Sequence, residues 1–458
     1  MTASFVLTDQ QWSELQCHLR SSMTSERFAV LLAGCCHERN NHVTLLCHKI
    51  LLYNDPALVD DAFGIQVTPT GIVEMMNSAI KAGTGLIEIH THPGAKGKVS
   101  FSAVDSAGHN EITKFAFSCL PEDSFYGSLV AGQRSLSGLL WTSASSVPVV
   151  ISAFRIAGTG KSIYESAKKP VHFDENRYTR QVHLLGKEGQ ERIGSVRVGI
   201  VGLGGTGSIV ARTLAYEGVR SFVLIDHDRI AVSNLNRLDG GTRWDVRFRR
   251  RKVRIARREI LRIAPDADVQ IVPKSLFTMQ AFRAMADADI LFGCTDNDAT
   301  RLCMNEFSAA YLKPYIDMGS GIIAESGRVT EAGGRVTVVL PGQGCMLCAN
   351  AVNTRMAGHE LAPPELREVA VKRGYVSGSD IPAPSVMSLN QTMASIAVTE
   401  FKAVVTGFRA PVRNVLYDLL SGTVTPVRYD VGPNCLVCHS SLGKGDLMKL
   451  QTRYCNNR

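Results

Sequence analysis

The sequence predicts an α/β protein: a mixed α/β unit at the N-terminus, then a doubly wound parallel sheet. Three observations carry this. At 458 residues the chain exceeds one ordinary domain. Up to about residue 150 its apolar runs mix strand and helix patterns without regular alternation. From Ser195 onward strand and helix patterns alternate, as βα units on a parallel sheet do. The expected division is 1–160, a linker at 161–175, and 176–458.

In the first unit, FAVLLAGCC (28–36) and HVTLLCHKILL (42–52) read as antiparallel strands. TGIVEMMNSAIKAG reads as a helix ending at Gly83, and GLIEIHTHP as a strand stopped by Pro93. YGSLVAG and GLLWTS read as later strands. AGTGKS (157–162) is not a P-loop, because Arg155 stands where the first glycine is needed. In the second unit SVRVGIVGLGG, SFVLIDHD and ADILFGCTD read as strands. TGSIVARTLAYEG and VRIARREILRIAP are the helices between them, and a long buried helix ends at Gly407.

Composition is that of a globular chain, 45% apolar and 20% charged. No run approaches a membrane span, and the first residues lack a basic region followed by an apolar one, so a cytoplasmic location is expected. Net charge is +8, with a dense run from Arg247 to Arg258. Aromatic interleaving there is thin, only Phe248, so a solvated helix face near a phosphate site is favoured over nucleic-acid binding.

Twelve cysteines in such a chain argue against a disulfide framework. Cys345, Cys348, Cys435 and Cys438 form two C-x-x-C pairs, a pattern that folds four thiolates around one structural zinc ion.

His90 and His92 lie two apart on a strand end and face one way; Asp105 follows. Two imidazoles and a carboxylate give zinc three ligands and leave one position for water. Glu26 is placed to act as general base and Ser102 to donate to an oxyanion. Glu26, H-x-H-P and S-x-x-D together resemble the JAB/JAMM metalloprotease family over residues 5–150. Twelve residues separate His92 from Asp105, two more than that family usually has. The resemblance implies a catalytic zinc and hydrolysis of peptide or isopeptide bonds.

GLGGTGS (Gly202, Gly204, Gly205 and Gly207 among its residues) lies between a strand and a helix, where backbone N–H groups can meet phosphates. A dehydrogenase would show that motif too. Here it is followed by DHDRIAVSNLNR and by GCTDN, and preceded by RYTRQ. With the paired knuckles, this ordered set resembles the ThiF/MoeB/ubiquitin-activating-enzyme superfamily over about 172–440. The resemblance implies a Rossmann-like adenylation domain using ATP and Mg2+. It implies that Asp226 binds ribose, Asn234 and Arg237 face phosphates, Lys252 is the phosphate lysine and Asp296 holds magnesium. Arg180 would reach into the site of a second subunit, making a homodimer. The D-[VI]-G-x-x-K pattern is altered to DVRFRRRK, so Arg250 is an alternative to Lys252.

Relatives often capture the acyl group on a cysteine between the knuckles, and none lies between Cys348 and Cys435. Cys294 and Cys303 read as inert core residues and Cys455 as a mobile thiol of the tail. The adenylate would then pass to a partner's cysteine or to sulfide, to a serine (Ser377, Ser379 or Ser385), or directly to an amine.

The expected function is adenylation of the C-terminus of a ubiquitin-like protein, joined to zinc-dependent processing or removal of that protein. The alternative is trimming and adenylation of a sulfur-carrier protein for thiocarboxylate formation. A scaffold that only binds such a partner is a third reading. A conjugating enzyme or a sulfurtransferase is the expected further partner. The pairing of activities resembles bacterial ubiquitin-like modification systems, which by analogy links it to antiviral defence.

Overall fold

The computed structural model describes residues 1–455, apart from 23, 39–40, 54–57, 62–63, 96, 158–172, 326–327, 364, 366 and 368–383. Most of the expected linker, together with Ser377 and Ser379, thus lies outside the described residues.

The N-terminal unit is a closed barrel in the order β1-β3-β2-β6-β7-β8-β9. Its strands are β1 (Thr2–Leu7), β2 (Phe28–Glu38), β3 (His42–Tyr53), β6 (Gly85–Thr91), β7 (Tyr126–Ala131), β8 (Leu136–Trp141) and β9 (Val149–Ile156). A small hairpin, β4 (Leu58–Asp61) with β5 (Gly64–Val67), stands apart from it. The β2–β3 pair is antiparallel, as its two apolar runs suggest. Closure comes from β1, which pairs in parallel with both β3 and β9. Neither strand is announced in the sequence, because parallel partners so far apart leave no local turn signal. Phe5, Leu31, Leu45, Ile87, Leu129 and Phe154 fill the interior. The helix Pro69–Ala82 covers the outside of the sheet. Thr68 caps it by accepting from Gly71 N, and Gly83 ends it with φ +62°.

The second unit is an eight-stranded sheet in the order β12-β11-β10-β13-β14-β15-β16-β17. It comprises β10 (Arg197–Val201), β11 (Ser221–Ile225), β12 (Asp268–Val272), β13 (Ile290–Gly293), β14 (Tyr315–Glu325), β15 (Arg328–Val339), β16 (Asn414–Asp418) and β17 (Thr423–Pro426). The first five strands in that order run parallel, and the last three continue antiparallel. Helices Gly205–Glu217, Lys252–Ile263 and Met387–Thr406 share one core with β10, β11, β13 and the β14–β16 strands. Phe401 of the last helix is fully buried and meets Phe292 at 5.8 Å between ring centroids. Burying such a ring contributes about 1.5–3 kcal/mol.

The two units touch through the chain's last segment. After the second knuckle it returns to β2: Gly34 N donates to Gly443 O at 3.0 Å, and Cys35 bridges to Gly445. Asp446 accepts from both the backbone and the ring of His37, each at 2.9 Å, and from the Tyr311 hydroxyl at 2.8 Å. The carboxylate's hydrogen bond pushes the His37 pKa up to about 10. Cys455 belongs to the short helix Leu450–Cys455 and packs on the core, so it is not the mobile tail thiol expected. No described helix is long and apolar enough to cross a membrane.

Candidate active sites

A cavity of about 740 Å3 opens at the C-terminal ends of β10, β11 and β13. Here the strand order reverses, since β10 pairs with β11 on one side and β13 on the other. Such a reversal parts the connecting loops and leaves a crevice for a ligand. Gly202, Gly204, Gly205 and Asp226 line it on one side. Asn234, Arg237, Lys252 and Asp296 complete the expected set in its wall.

Two glycines show why the loop has this sequence. Gly202 has φ +87°, a backbone conformation that other residues rarely adopt. Gly207 lies behind the loop, and a Cβ on it would stand 1.9 Å from the Gly202 carbonyl oxygen. The helix that starts at Gly205 has no side-chain cap at Gly204. Its first-turn N–H groups therefore form a donor set suited to phosphate oxygens.

The carboxylate of Asp226 accepts from Leu203 N and from Asp228 N, both at 2.7 Å. It thus clamps the glycine loop to the end of β11. Lys252 Nζ donates to Asp228 Oδ2 at 2.7 Å. Burial alone would raise the Asp228 pKa; the lysine's hydrogen bond and charge, with the nearby His227 and Arg251, together outweigh it and lower it. Arg250 is outside the wall and lies 3.5 Å from buried Asp245, so of the two candidates Lys252 is the one in the cavity. Arg180 sits exposed on the helix Glu175–Ser195 and is not in the wall. Arg301, absent from the expected set, is also in the wall. It donates to Thr295 O at 3.0 Å and lies 3.5 Å from Asp317. Burial opposes its charge, and Asp317, Tyr315, Asp298 and Asp296 together more than restore it, raising the guanidinium pKa. The only sequence signal for Arg301 was its place one turn inside a helix capped by Asn297.

The basic run is largely structural on one side. Arg258 holds both oxygens of Asp245, at 2.8 and 3.1 Å, and Arg251 donates to His227 O. Trp244 and Phe248 stack on each other beside it and are exposed.

The barrel carries a second constellation. His90 Nε2 and His92 Nε2 are 3.3 Å apart. Asp105 places Oδ1 3.3 Å from the first and Oδ2 3.4 Å from the second. A tetrahedron with metal–ligand bonds of roughly 2.0–2.1 Å has edges of about 3.3–3.4 Å; the histidine pair matches one edge, and one Asp105 oxygen lies near each imidazole, so these three residues could hold zinc. Burial disfavours a charged His90, but the Asp105 hydrogen bond together with the charges of Asp105, Glu88 and Glu26 prevails and raises its pKa. Glu26 Oε1 stands 3.9 Å from His92 Nε2. Ser102 caps the helix Ala103–Cys119, its Oγ accepting from Asp105 N at 3.1 Å, while its own backbone N–H donates to Asp105 Oδ2 at 2.6 Å and so fixes that carboxylate.

Cys345, Cys348, Cys435 and Cys438 also converge. Their sulfurs lie 3.6 to 3.8 Å apart along three edges, and zinc–thiolate bonds of about 2.3 Å give edges of about 3.8 Å. The hydrogen bond from Cys438 brings the Cys345 pKa down to about 5, and the same bond holds the Cys438 thiol up. Cys294 and Cys303 are buried and their pKa values are raised by burial, as inert core thiols should be.

Residues 178–437, more than half of the chain, match the family model described as ThiF family. This chain belongs to the ThiF family. Among curated proteins it is 32% identical over 179 residues to the sulfur carrier protein ThiS adenylyltransferase of Escherichia coli K12, covering 38% of this chain and 67% of that protein. It is 28% identical over 268 residues to the molybdopterin-synthase adenylyltransferase of the same organism, covering 57% of this chain and 95% of that one. Among solved structures, E. coli MccB with ATP aligns with a TM-score of 0.46 at 20% identity, covering 59% of this chain and 76% of that chain.

Proposed function

We propose that the second unit of this ThiF-family chain adenylates the C-terminal carboxylate of a small ubiquitin-like or sulfur-carrier protein, and that the barrel is a zinc hydrolase acting on such a C-terminus. One observation carries the first part: the cavity at the strand reversal gathers the glycine loop, Asn234, Arg237, Lys252 and Asp296 in one wall. A carboxylate oxygen of the small protein would attack the α-phosphorus of ATP. The bond to pyrophosphate breaks, and an acyl-adenylate remains. Arg237 and Lys252 would balance the charge that gathers on the phosphate oxygens, with Lys252 exchanging Asp228 for phosphate. Asp296 would hold Mg2+, which adds charge stabilisation when bound. Arg180, exposed and partnerless among the described residues, fits the role of a residue supplied to the other subunit of a homodimer.

For the barrel, the supporting observation is the matched spacing of His90, His92 and Asp105. Zinc held there would supply an electrophile and an activated water. Glu26 would take the water's proton and pass it to the leaving nitrogen. The four cysteines would hold a second, structural zinc. The likeness to the sulfur carrier protein ThiS adenylyltransferase favours the sulfur-carrier form of this reading. So does the lack of a cysteine between Cys348 and Cys435, since the adenylate must meet an acceptor elsewhere. Conjugation of the small protein, with a separate conjugating enzyme and a role in antiviral defence, is the other form.

The test is ATP–pyrophosphate exchange with candidate small proteins ending in a free glycine carboxylate. Exchange should require Mg2+ and vanish in Lys252→Ala and Asp296→Ala. Exchange that survives both substitutions, or that never occurs, would remove the reading.

A further inference from the structure

Beside the metal trio is a second cavity, of about 320 Å3. His92 belongs both to the trio and to this cavity's wall. The body of the wall is apolar, from Trp12, Leu19 and Leu136. Its charged members are Arg20 and Arg134, both exposed and neither with a side-chain partner among the described residues. Among the described residues no Asp or Glu lines it. The cavity therefore joins an apolar floor to uncompensated positive charge, next to the place where a bond would be cut.

We propose that this cavity takes the C-terminal residue of a short tail, with Arg20 and Arg134 binding its free carboxylate and the apolar floor taking its side chain. The inference rests on the hydrolase reading of the barrel and narrows it, from cutting inside a chain to removing a short C-terminal extension. Chain polarity supports the assignment. In a peptide cut near its end, the fragment that carries the free carboxylate is the leaving amine, so a carboxylate-binding cavity marks the leaving-group side. The step balances. Water oxygen adds to the scissile carbonyl carbon, and the C–N bond breaks. One water proton travels by Glu26 to the leaving nitrogen, and the other, shed as the new acid ionises, leaves that nitrogen an ammonium. The products are a new carboxylate on the small protein and a released short peptide whose own carboxylate was held throughout. A volume of 320 Å3 admits one or two residues and not a folded partner. The two sites then stand in series: the carboxylate created at the barrel is the group the nucleotide site consumes.

The test uses the full-length, zinc-loaded protein and peptides of the form acetyl-Gly-Gly-Phe, as free acids and as C-terminal amides. Two hydrogen-bonded cations on one carboxylate predict cleavage of the acid at least roughly tenfold faster than the amide. The ratio should approach unity in the Arg20→Gln/Arg134→Gln double variant. Equal cleavage of acid and amide, lost in Glu26→Ala, would overturn the inference and leave the hydrolase reading standing. If neither peptide is cleaved, the hydrolase reading fails, and the cavity is judged by binding of the dansyl-labelled acid and amide to the same proteins. Selective binding of the acid, lost in the double variant, would sustain the carboxylate site; equal or absent binding would end it.

Discussion

Replacing Asp226 by asparagine should loosen the glycine loop before any ligand is involved. The side chain keeps its shape but loses its charge and one acceptor. In the protein both oxygens are used, by Leu203 N and Asp228 N at 2.7 Å each. An amide can accept one of these bonds and must aim an N–H at the other donor. A hydrogen bond to a charged group is worth about 1.5–3 kcal/mol, and the site is nearly closed to water that could replace it. A loss of about 2–3 kcal/mol corresponds to a melting temperature lower by about 5–10 °C. If nucleotide binding must first restore the loop, ATP affinity falls by up to about 150-fold. Differential scanning fluorimetry and titration calorimetry with a non-hydrolysable ATP analogue measure the two effects. A variant that melts like the wild type but binds ATP poorly would refute the clamp and leave Asp226 as a nucleotide ligand alone. A variant unchanged in both would refute both roles.

Gly207→Ala should destabilise by roughly 1–3 kcal/mol and lose ATP binding, because the new Cβ meets backbone oxygen and not a movable side chain. Gly204→Ala, with nothing within 4 Å of its Cβ, should fold normally and serves as the control in the same melts. Elemental analysis should find zinc in two places: Cys435→Ser should lose the thiolate-bound ion and much stability, whereas His92→Ala should lose the other ion and little stability. The Asp245–Arg258 pair gives a pH signature. The folded-state pKa of Asp245 is depressed against the pull of its burial, chiefly by the Arg258 hydrogen bond, so its contribution is whole above the ordinary carboxylate value of about 4 and fades as pH falls through the folded value. The melting gap between wild type and Asp245→Asn should therefore be wide at neutral pH and shrink below about pH 4; a constant gap would deny the pair that role.

What the sequence disclosed was whatever is written locally. The alternation after Ser195, the glycine loop and the two knuckles are all short-range patterns, and the protein builds each where expected. His90, His92 and Asp105 were legible because a strand end and a helix cap fix their directions. The rest depends on distant partners. Nothing near Thr2–Leu7 announces that it must pair with β9, about 150 residues away. Likewise the Lys252–Asp228 bond and the burial of Arg301 follow from how two strand ends come together, which no spacing encodes. Arg20 and Arg134 are ordinary surface arginines until the helix Asp9–Leu19 and the β7–β8 turn are set side by side.

The return of the chain's last segment to β2 bears on how the molecule is made. The barrel is complete on the ribosome some 300 residues before Gly443, Gly445 and Asp446 are synthesised. For that interval the β2 positions at Gly34, Cys35 and His37 wait without their final partners. Synthesis proceeds at about 5–20 residues per second, so the wait lasts on the order of tens of seconds. Joining the halves thus waits on residues 443–446, and a ribosome that stops before them releases a closed barrel whose β2 contacts to that segment are unmade.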